Sequence, residues 1–237
     1  MVSMRRLAGR FLNEDERQRV VGMVAEMERC TTGEIVPMVV SASHSYPEAA
    51  LAGAAWLSMP SALVAALVTG SLFWWQDQLL WLFLAFLACF FPLALLLMRI
   101  PWLLRLFIRK HRAQEEVERA AVNRFYGEGL HVTREATGVL IYISVLERRV
   151  FILGDRGINE RIGPHAWQGL IDTLVAGIKE GCAGESLCSV IEKIGVMLHI
   201  HFPPVADDRN ELDNLLIAGE DGVLAHYGKA TSTKPLT

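Results

Sequence analysis

The chain has 237 residues, 52% of them hydrophobic, with a mean hydropathy of +0.30 and a formal net charge of -3. This length holds one domain and something extra, and the hydropathy is high for a water-soluble protein. The weak net charge gives no whole-chain electropositive field. No basic, aromatic-interleaved stretch lies outside the membrane flank described below, so nucleic acid is not an expected partner.

Met1 to Arg19 carries basic residues but no apolar core segment, so no cleavable signal peptide is expected. Asn13, followed by Glu14, Asp15 and Glu16, reads as a helix N-cap with an acidic first turn and a capping-box glutamate. Val20, Val21, Val24 and Met27 form the apolar stripe of that helix, which Thr31-Thr32-Gly33 ends. Ile35 to Val40 is a short strand, and Pro37 implies an unpaired side or a bulge there.

From Leu51 to Met98 the only formally charged side chain is Asp77. Leu51–Trp75 and Leu79–Met98 are each long enough to cross about 30 Å of hydrocarbon as a helix. Trp74, Trp75 and Trp81 bracket Gln76-Asp77-Gln78 as an interfacial aromatic belt, which makes Asp77 a loop residue in water. The alternative, two buried helices of a soluble core, lacks enough remaining chain to cover them. Pro60, inside the first span, is expected to kink it.

Arg99, Arg105, Arg109, Lys110 and Arg112 crowd the exit of the second span, so this side is expected to be cytosolic. Residues 99–110 mix bulky apolar and basic side chains, as a segment lying along headgroups does. Cys30, Cys89, Cys182 and Cys188 have no paired spacing and read as packing residues of a reducing compartment.

Val117, Ala120, Ala121 and Phe125 place a helix between about Arg112 and Tyr126. Val139–Val145 and Val150–Leu153, joined by a turn at Glu147-Arg148, form an antiparallel hairpin. Two amphipathic helices follow, one from Trp167 to Gly181 and one carrying Leu187, Val190, Ile191, Ile194 and Leu198. A strand, a helical crossover and a strand make a βαβ unit, here with a membrane hairpin inserted in the crossover. Because one sheet cannot straddle a bilayer, the number of crossings must be even, and the hydropathy pattern supplies two. The organisation is therefore 11–47 as the first part of a domain, 50–98 as a transmembrane hairpin, 99–110 as an interfacial segment, 111–204 as the second part, and 205–237 as an acidic segment and flexible tail.

Asp155 lies in a glycine-flanked turn after a strand, where a carboxylate either bonds its own backbone or holds a divalent cation. Glu34, at the start of the first strand, is either a solvated carboxylate or a second ligand. Whether the two reach the same end of the sheet is left open, since Asp155 follows an antiparallel strand. The run Asp207 to Asn214 lacks the central glycine and the terminal glutamate of a calcium loop and reads as a solvated or docking segment. His199 and His201, two apart on a helix, point to different faces and do not make a metal pair. No P-loop, H-E-x-x-H or G-x-S-x-G is present, and the catalytic residues stay unknown.

Glu28 with Thr32-Gly33-Glu34-Ile35-Val36-Pro37, and then Tyr46-Pro47-Glu48-Ala49, resembles the opening of a bacterial membrane-anchored TPM domain. Thr137-Gly138-Val139-Leu140-Ile141, Glu147-Arg148-Arg149-Val150, Gly154-Asp155-Arg156-Gly157-Ile158, Phe202-Pro203-Pro204 and Asp208-Arg209-Asn210-Glu211-Leu212 continue the resemblance, which spans Phe11 to Leu216. The family is named for plant thylakoid-lumen, photosystem-associated and nematode receptor-modulating members. It implies an αβα sandwich with a small mixed sheet, here interrupted by the helical hairpin. It also implies one of two functions: assembly, repair or quality control of a membrane complex by protein binding, or a divalent-metal-dependent acid phosphatase using Ca2+ or Mg2+. The first is the expected function, with the bilayer and another membrane protein as partners. Small residues such as Ala52, Gly53, Ala54 and Ala55, or Ala62, Ala65 and Ala66, offer faces for helix contact.

Overall fold

The computed structural model describes residues 7–73, 75–133, 136–163, 165–204, 214–218 and 224–228. The chain forms two compact units: one holds His44–Ala113, the other joins Arg5–Ser43 to Gln114–Thr237.

The second unit is an α/β domain built on a five-stranded mixed sheet. Its strands are β1 (Glu34–Val40), β2 (Gly138–Ser144), β3 (Arg149–Gly154), β4 (Leu215–Ala218) and β5 (Leu224–Tyr227), in the spatial order β3-β2-β1-β4-β5. β1 runs parallel to β2 and to β4, while β3 and β5 are antiparallel edges. The parallel pairing of β1 with β2 is the expected βαβ unit, and the hairpin from β2 to β3 is also as expected. Its turn closes with Arg148 at a left-handed φ of 52°.

The helices cover both faces because strand alternation makes both faces apolar. Ile35, Val39, Val139 and Ile141 pack against α1 (Glu14–Glu28), α7 (His165–Glu180) and α8 (Ala183–His201). Val36, Met38, Leu140 and Tyr142 pack against Val117, Ala121 and Phe125 of α5 (Lys110–Gly127). α1 begins with the expected capping box: Glu16 N donates to Asn13 Oδ1, and Asn13 N donates to Glu16 Oε2, both at 2.8 Å. Pro37 sits inside β1, the central strand, without a lost bond. Glu34 N donates to Thr137 O and Val145 N to Val40 O, so even-numbered residues of β1 serve β2. The odd-numbered edge carries Pro37, and there β4 begins pairing only at Met38, while Ile35 N donates to Glu28 Oε1 at 3.2 Å.

The reading of 205–237 as an acidic segment and flexible tail is corrected for its described part, which forms β4 and β5. Leu215, Leu216 and Ile217 are buried and extend the sheet, because their side chains fill both helical layers. Of the acidic run Asp207 to Asn214, residues 207–213 lie outside the described residues, as does Trp74. The cysteine reading also changes: Cys30, Cys89 and Cys182 are exposed, and only Cys188 packs against the core.

The first unit contains α2 (Pro47–Leu72), α3 (Leu79–Leu97) and α4 (Pro101–Phe107). A 3-10 turn at Gln76–Gln78 joins α2 to α3, and Asp77 is exposed on it, as expected. Pro60 and Pro92 lie inside α2 and α3, and each helix runs on through its proline. Both helices are long and apolar enough to cross a membrane, and in the most apolar windows only 28% of α2 and 6% of α3 is buried. They could span a bilayer, since Trp56, Leu63, Leu67, Leu80 and Trp81 face outward. The small residues Ala54, Ser58, Ala62, Ala66 and Gly70 of α2 are buried at the closely packed α2–α3 pair. Part of the small-residue surface expected to contact other helices is thus taken up within the hairpin.

Candidate functional site

The sheet register brings Glu34 and Asp155 to one edge. Glu34 pairs with Gly138, Val139 pairs with Gly154, and Asp155 N donates to Gly138 O at 2.8 Å. The antiparallel return of β3 therefore delivers Asp155 to the edge at which β1 and β2 start, two strand spacings (about 10 Å) from Glu34.

Gly138 lies between them, and a Cβ there would fall 2.5 Å from the Leu130 carbonyl oxygen. That carbonyl is fixed by local bonds: Thr133 Oγ1 donates to it at 3.4 Å, and Thr137 N donates to Thr133 Oγ1 at 3.1 Å. Asp155 caps the short helix α6 (Arg156–Arg161), which sequence reasoning missed, and its Oδ1 accepts from Arg156 N at 2.6 Å. This is the turn role foreseen for Asp155. Its Oδ2, however, is buried without a hydrogen-bond partner among the described residues, as are Thr32 Oγ1 and Trp167 Nε1. Glu34 is 7% exposed. A carboxylate oxygen removed from water without a donor is costly unless a cation or proton serves it. Carboxylates are the ligand type that Ca2+ and Mg2+ prefer, but among the described residues no group of three or more His, Cys, Asp or Glu side chains is placed to hold a metal ion.

At the opposite edge, where β1 and β2 end, the structure holds a polar network that the sequence reading did not single out. Ser43 N donates to Glu147 Oε1 at 2.9 Å, Ser43 Oγ donates to Ser144 Oγ at 3.0 Å, and Ser144 Oγ donates to Glu147 Oε2. Ser43 Oγ also shares a hydrogen bond with Tyr142 Oη at 3.2 Å. Glu147 is 7% exposed and Tyr142 is 2% exposed. The available signal was a tyrosine and a serine inside an otherwise apolar strand, Gly138–Ser144.

Burial pushes the Tyr142 phenol above its ordinary value of 10.0. In the unfolded chain the phenol ionises near 10.0, while in the fold it keeps its proton to higher pH. Its contribution to stability is therefore full below about pH 10 and falls as pH rises through that window. Tyr142→Phe should flatten this alkaline loss of melting temperature and cost about 1 kcal/mol at neutral pH through the lost bond. Thermal melts on both sides of pH 10 check it; an unchanged alkaline limb would remove Tyr142 from the linkage.

Of the flank residues, Arg99 and Arg109 are exposed, and Arg105 is half-buried on α4. Lys110 and Arg112 open α5, and Arg112 lies 3.8 Å from Glu48. His199 and His201 are not brought together: His199 Nδ1 donates to Cys30 O at 2.6 Å, while the His201 carbonyl accepts from Arg161 at 2.6 Å. On the hairpin, Ala55, Ser58, Met59, Leu84, Leu87, Ala88 and Phe91 line an almost wholly apolar groove of about 430 Å³.

No family model matches this chain, and no curated protein matches it. Among solved structures it is similar to the NMR structure of BA42 protein from the psychrophilic bacterium Bizionia argentinensis, with a TM-score of 0.53 and 20% identity. The match covers 86% of this chain and 92% of that one. At this identity the likeness is one of fold.

Proposed function

We propose that this chain is a membrane-anchored TPM-like domain that binds another membrane protein complex and serves its assembly, repair or quality control. The groove on the hairpin carries this reading. Its apolar lining, Met59, Leu84, Leu87 and Phe91 with the small Ala55, Ser58 and Ala88, gives the side of a neighbouring transmembrane helix a recess to enter. The hairpin itself offers no transport path, since the one formally charged residue between Leu51 and Met98, Asp77, is in the turn.

On this reading the α/β domain stands on the cytosolic side of a bacterial inner membrane, where the basic flank belongs. A cytoplasm-active reporter should work at either terminus, and an export-active one should work at Gln76 to Gln78. Mild-detergent purification of such a chain should bring down a membrane complex, and Ala88→Trp, which fills the groove, should release it. A reversed reporter pattern, or a partner retained in full by Ala88→Trp, would overturn the reading.

The second reading is a divalent-metal-dependent phosphatase, favoured by the register that brings Glu34 and Asp155 to one edge. In it, Asp155 and Glu34 hold a Ca2+ or Mg2+ ion, which supplies Lewis acidity toward a phosphoryl oxygen. Calorimetric titration of the full chain in detergent should show Ca2+ or Mg2+ binding weakened at least about tenfold in Asp155→Ala. Binding that survives this substitution removes Asp155 from the site, and no binding to the unaltered chain ends the metal reading.

A further inference from the structure

We propose that α4 and the arginines beside it form a binding surface for anionic phospholipid headgroups. The inference rests on reading the hairpin as a membrane insertion and adds to it a lipid selectivity.

The lengths of the two long helices locate α4. At 1.5 Å per residue, the 26 residues of α2 span about 39 Å and the 19 of α3 about 28 Å, against about 30 Å of hydrocarbon. The three-residue turn Gln76–Gln78 ties two of their ends together, so the excess length of α2 collects at its other end, from Pro47 to about Gly53. That stretch carries Glu48, which belongs outside the hydrocarbon.

α4 packs against this excess. A Cβ on Gly53 would lie 2.6 Å from Met98 Sδ and 2.8 Å from Phe107 Cδ2, so the glycine is what lets the α4 segment approach α2. Leu103 and Phe107 join the cluster of Ala54, Ala94 and Met98 at the base of the hairpin, and Leu104 is 2% exposed. One side of α4 is thus used in packing, at the depth where hydrocarbon gives way to headgroups.

Its other side is open. Trp102 and Leu106, one helical turn apart, are 66% and 70% exposed. A tryptophan and a leucine outward at that depth suit the boundary between acyl chains and glycerol. Arg99 precedes α4 and Arg109 follows it, both exposed, and residues 99–112 contain five lysines and arginines and no acid. Guanidinium groups at this level meet lipid phosphates in paired hydrogen bonds. Anionic headgroups carry net charge to attract the cluster, and zwitterionic ones do not.

The test uses the full chain in mild detergent, titrated with phosphatidylglycerol or phosphatidylcholine, with bound lipids counted by native mass spectrometry. Phosphatidylglycerol should be retained in preference to phosphatidylcholine. The double substitution Arg99→Gln with Arg109→Gln should weaken its retention about 30-fold, at roughly fivefold per basic residue. Arg156→Gln, in the other unit, should leave retention unchanged. Equal retention of the two lipids, or a double variant that melts normally and binds like the parent, overturns the proposal. Carbonate extraction of native membranes separates this from failure of the membrane reading. A chain washed off as soluble refutes both, whereas a chain left in the pellet without lipid preference refutes the headgroup surface alone.

Discussion

Gly138→Ala should lower the melting temperature of the full chain in detergent by about 5–10 °C, corresponding to a loss of about 3 kcal/mol. The added methyl would stand 2.5 Å from the Leu130 carbonyl oxygen and 3.3 Å from its carbon, and both are backbone atoms that no rotamer change can move. Leu130 is fully buried, and the Thr133 and Thr137 bonds hold its turn in place, so relief would require shifting β2 or the whole segment 130–137. Because Glu34 and Asp155 flank this position, the same substitution should disturb any cation binding at that edge. Gly22→Ala in α1 and Gly169→Ala in α7 are the controls. Nothing lies within 4 Å of a Cβ at either position, so each should raise stability by about 0.5–1 kcal/mol through better helix propensity. If Gly138→Ala melts like the parent, the Leu130 carbonyl is not over the strand.

Glu147→Ala should cost about 3 kcal/mol and should sharply accelerate amide exchange at Ser43. The substitution strands two donors, Ser43 N and Ser144 Oγ, at a site where Glu147 itself is 7% exposed, and each buried donor left unserved costs about 1–3 kcal/mol. Glu147→Gln keeps one acceptor oxygen and should cost less than half as much. Exchange at Ser43 reports the local opening directly, because among the described residues that amide bonds to the carboxylate that is removed. Full protection of the Ser43 amide in Glu147→Ala would show that another acceptor holds it and that the network is incidental.

The parts legible in the sequence were those whose periodicity or composition exceeds what local context can hide. Twenty-residue apolar runs announce α2 and α3, and Asn13 with Glu16 announces the start of α1, because hydrocarbon thickness and capping geometry act on consecutive residues. Leu215 to Ala218 was not legible. A four-residue apolar run shows neither alternation nor helical spacing, and its strand character comes from pairing with Met38 and Val39, far away in the chain. The candidate cation edge was half legible: Asp155 and Glu34 stand out as acids at strand ends, but their common edge follows from register. A strand parallel to β1 followed by an antiparallel return necessarily ends where β1 begins. Ser43, Tyr142, Ser144 and Glu147 stayed hidden because the groups that meet come from the loop after β1, from β2 and from a turn, with about a hundred residues between the first and the rest.

The insertion of the hairpin between β1 and β2 also sets a timetable for biogenesis. At a synthesis rate of about 5–20 residues per second, β1 leaves the ribosome roughly 5–20 s before the strand it must pair with exists. Its other neighbour, β4, is made later still, after α6, α7 and α8. For that interval β1, the strand Glu34–Val40 with all seven residues destined for burial, is a nascent segment with two open edges, and both long apolar helices are made before either edge is closed. The α/β domain can therefore close only after the whole helical hairpin has been made, and its first strand is the segment left longest without a partner.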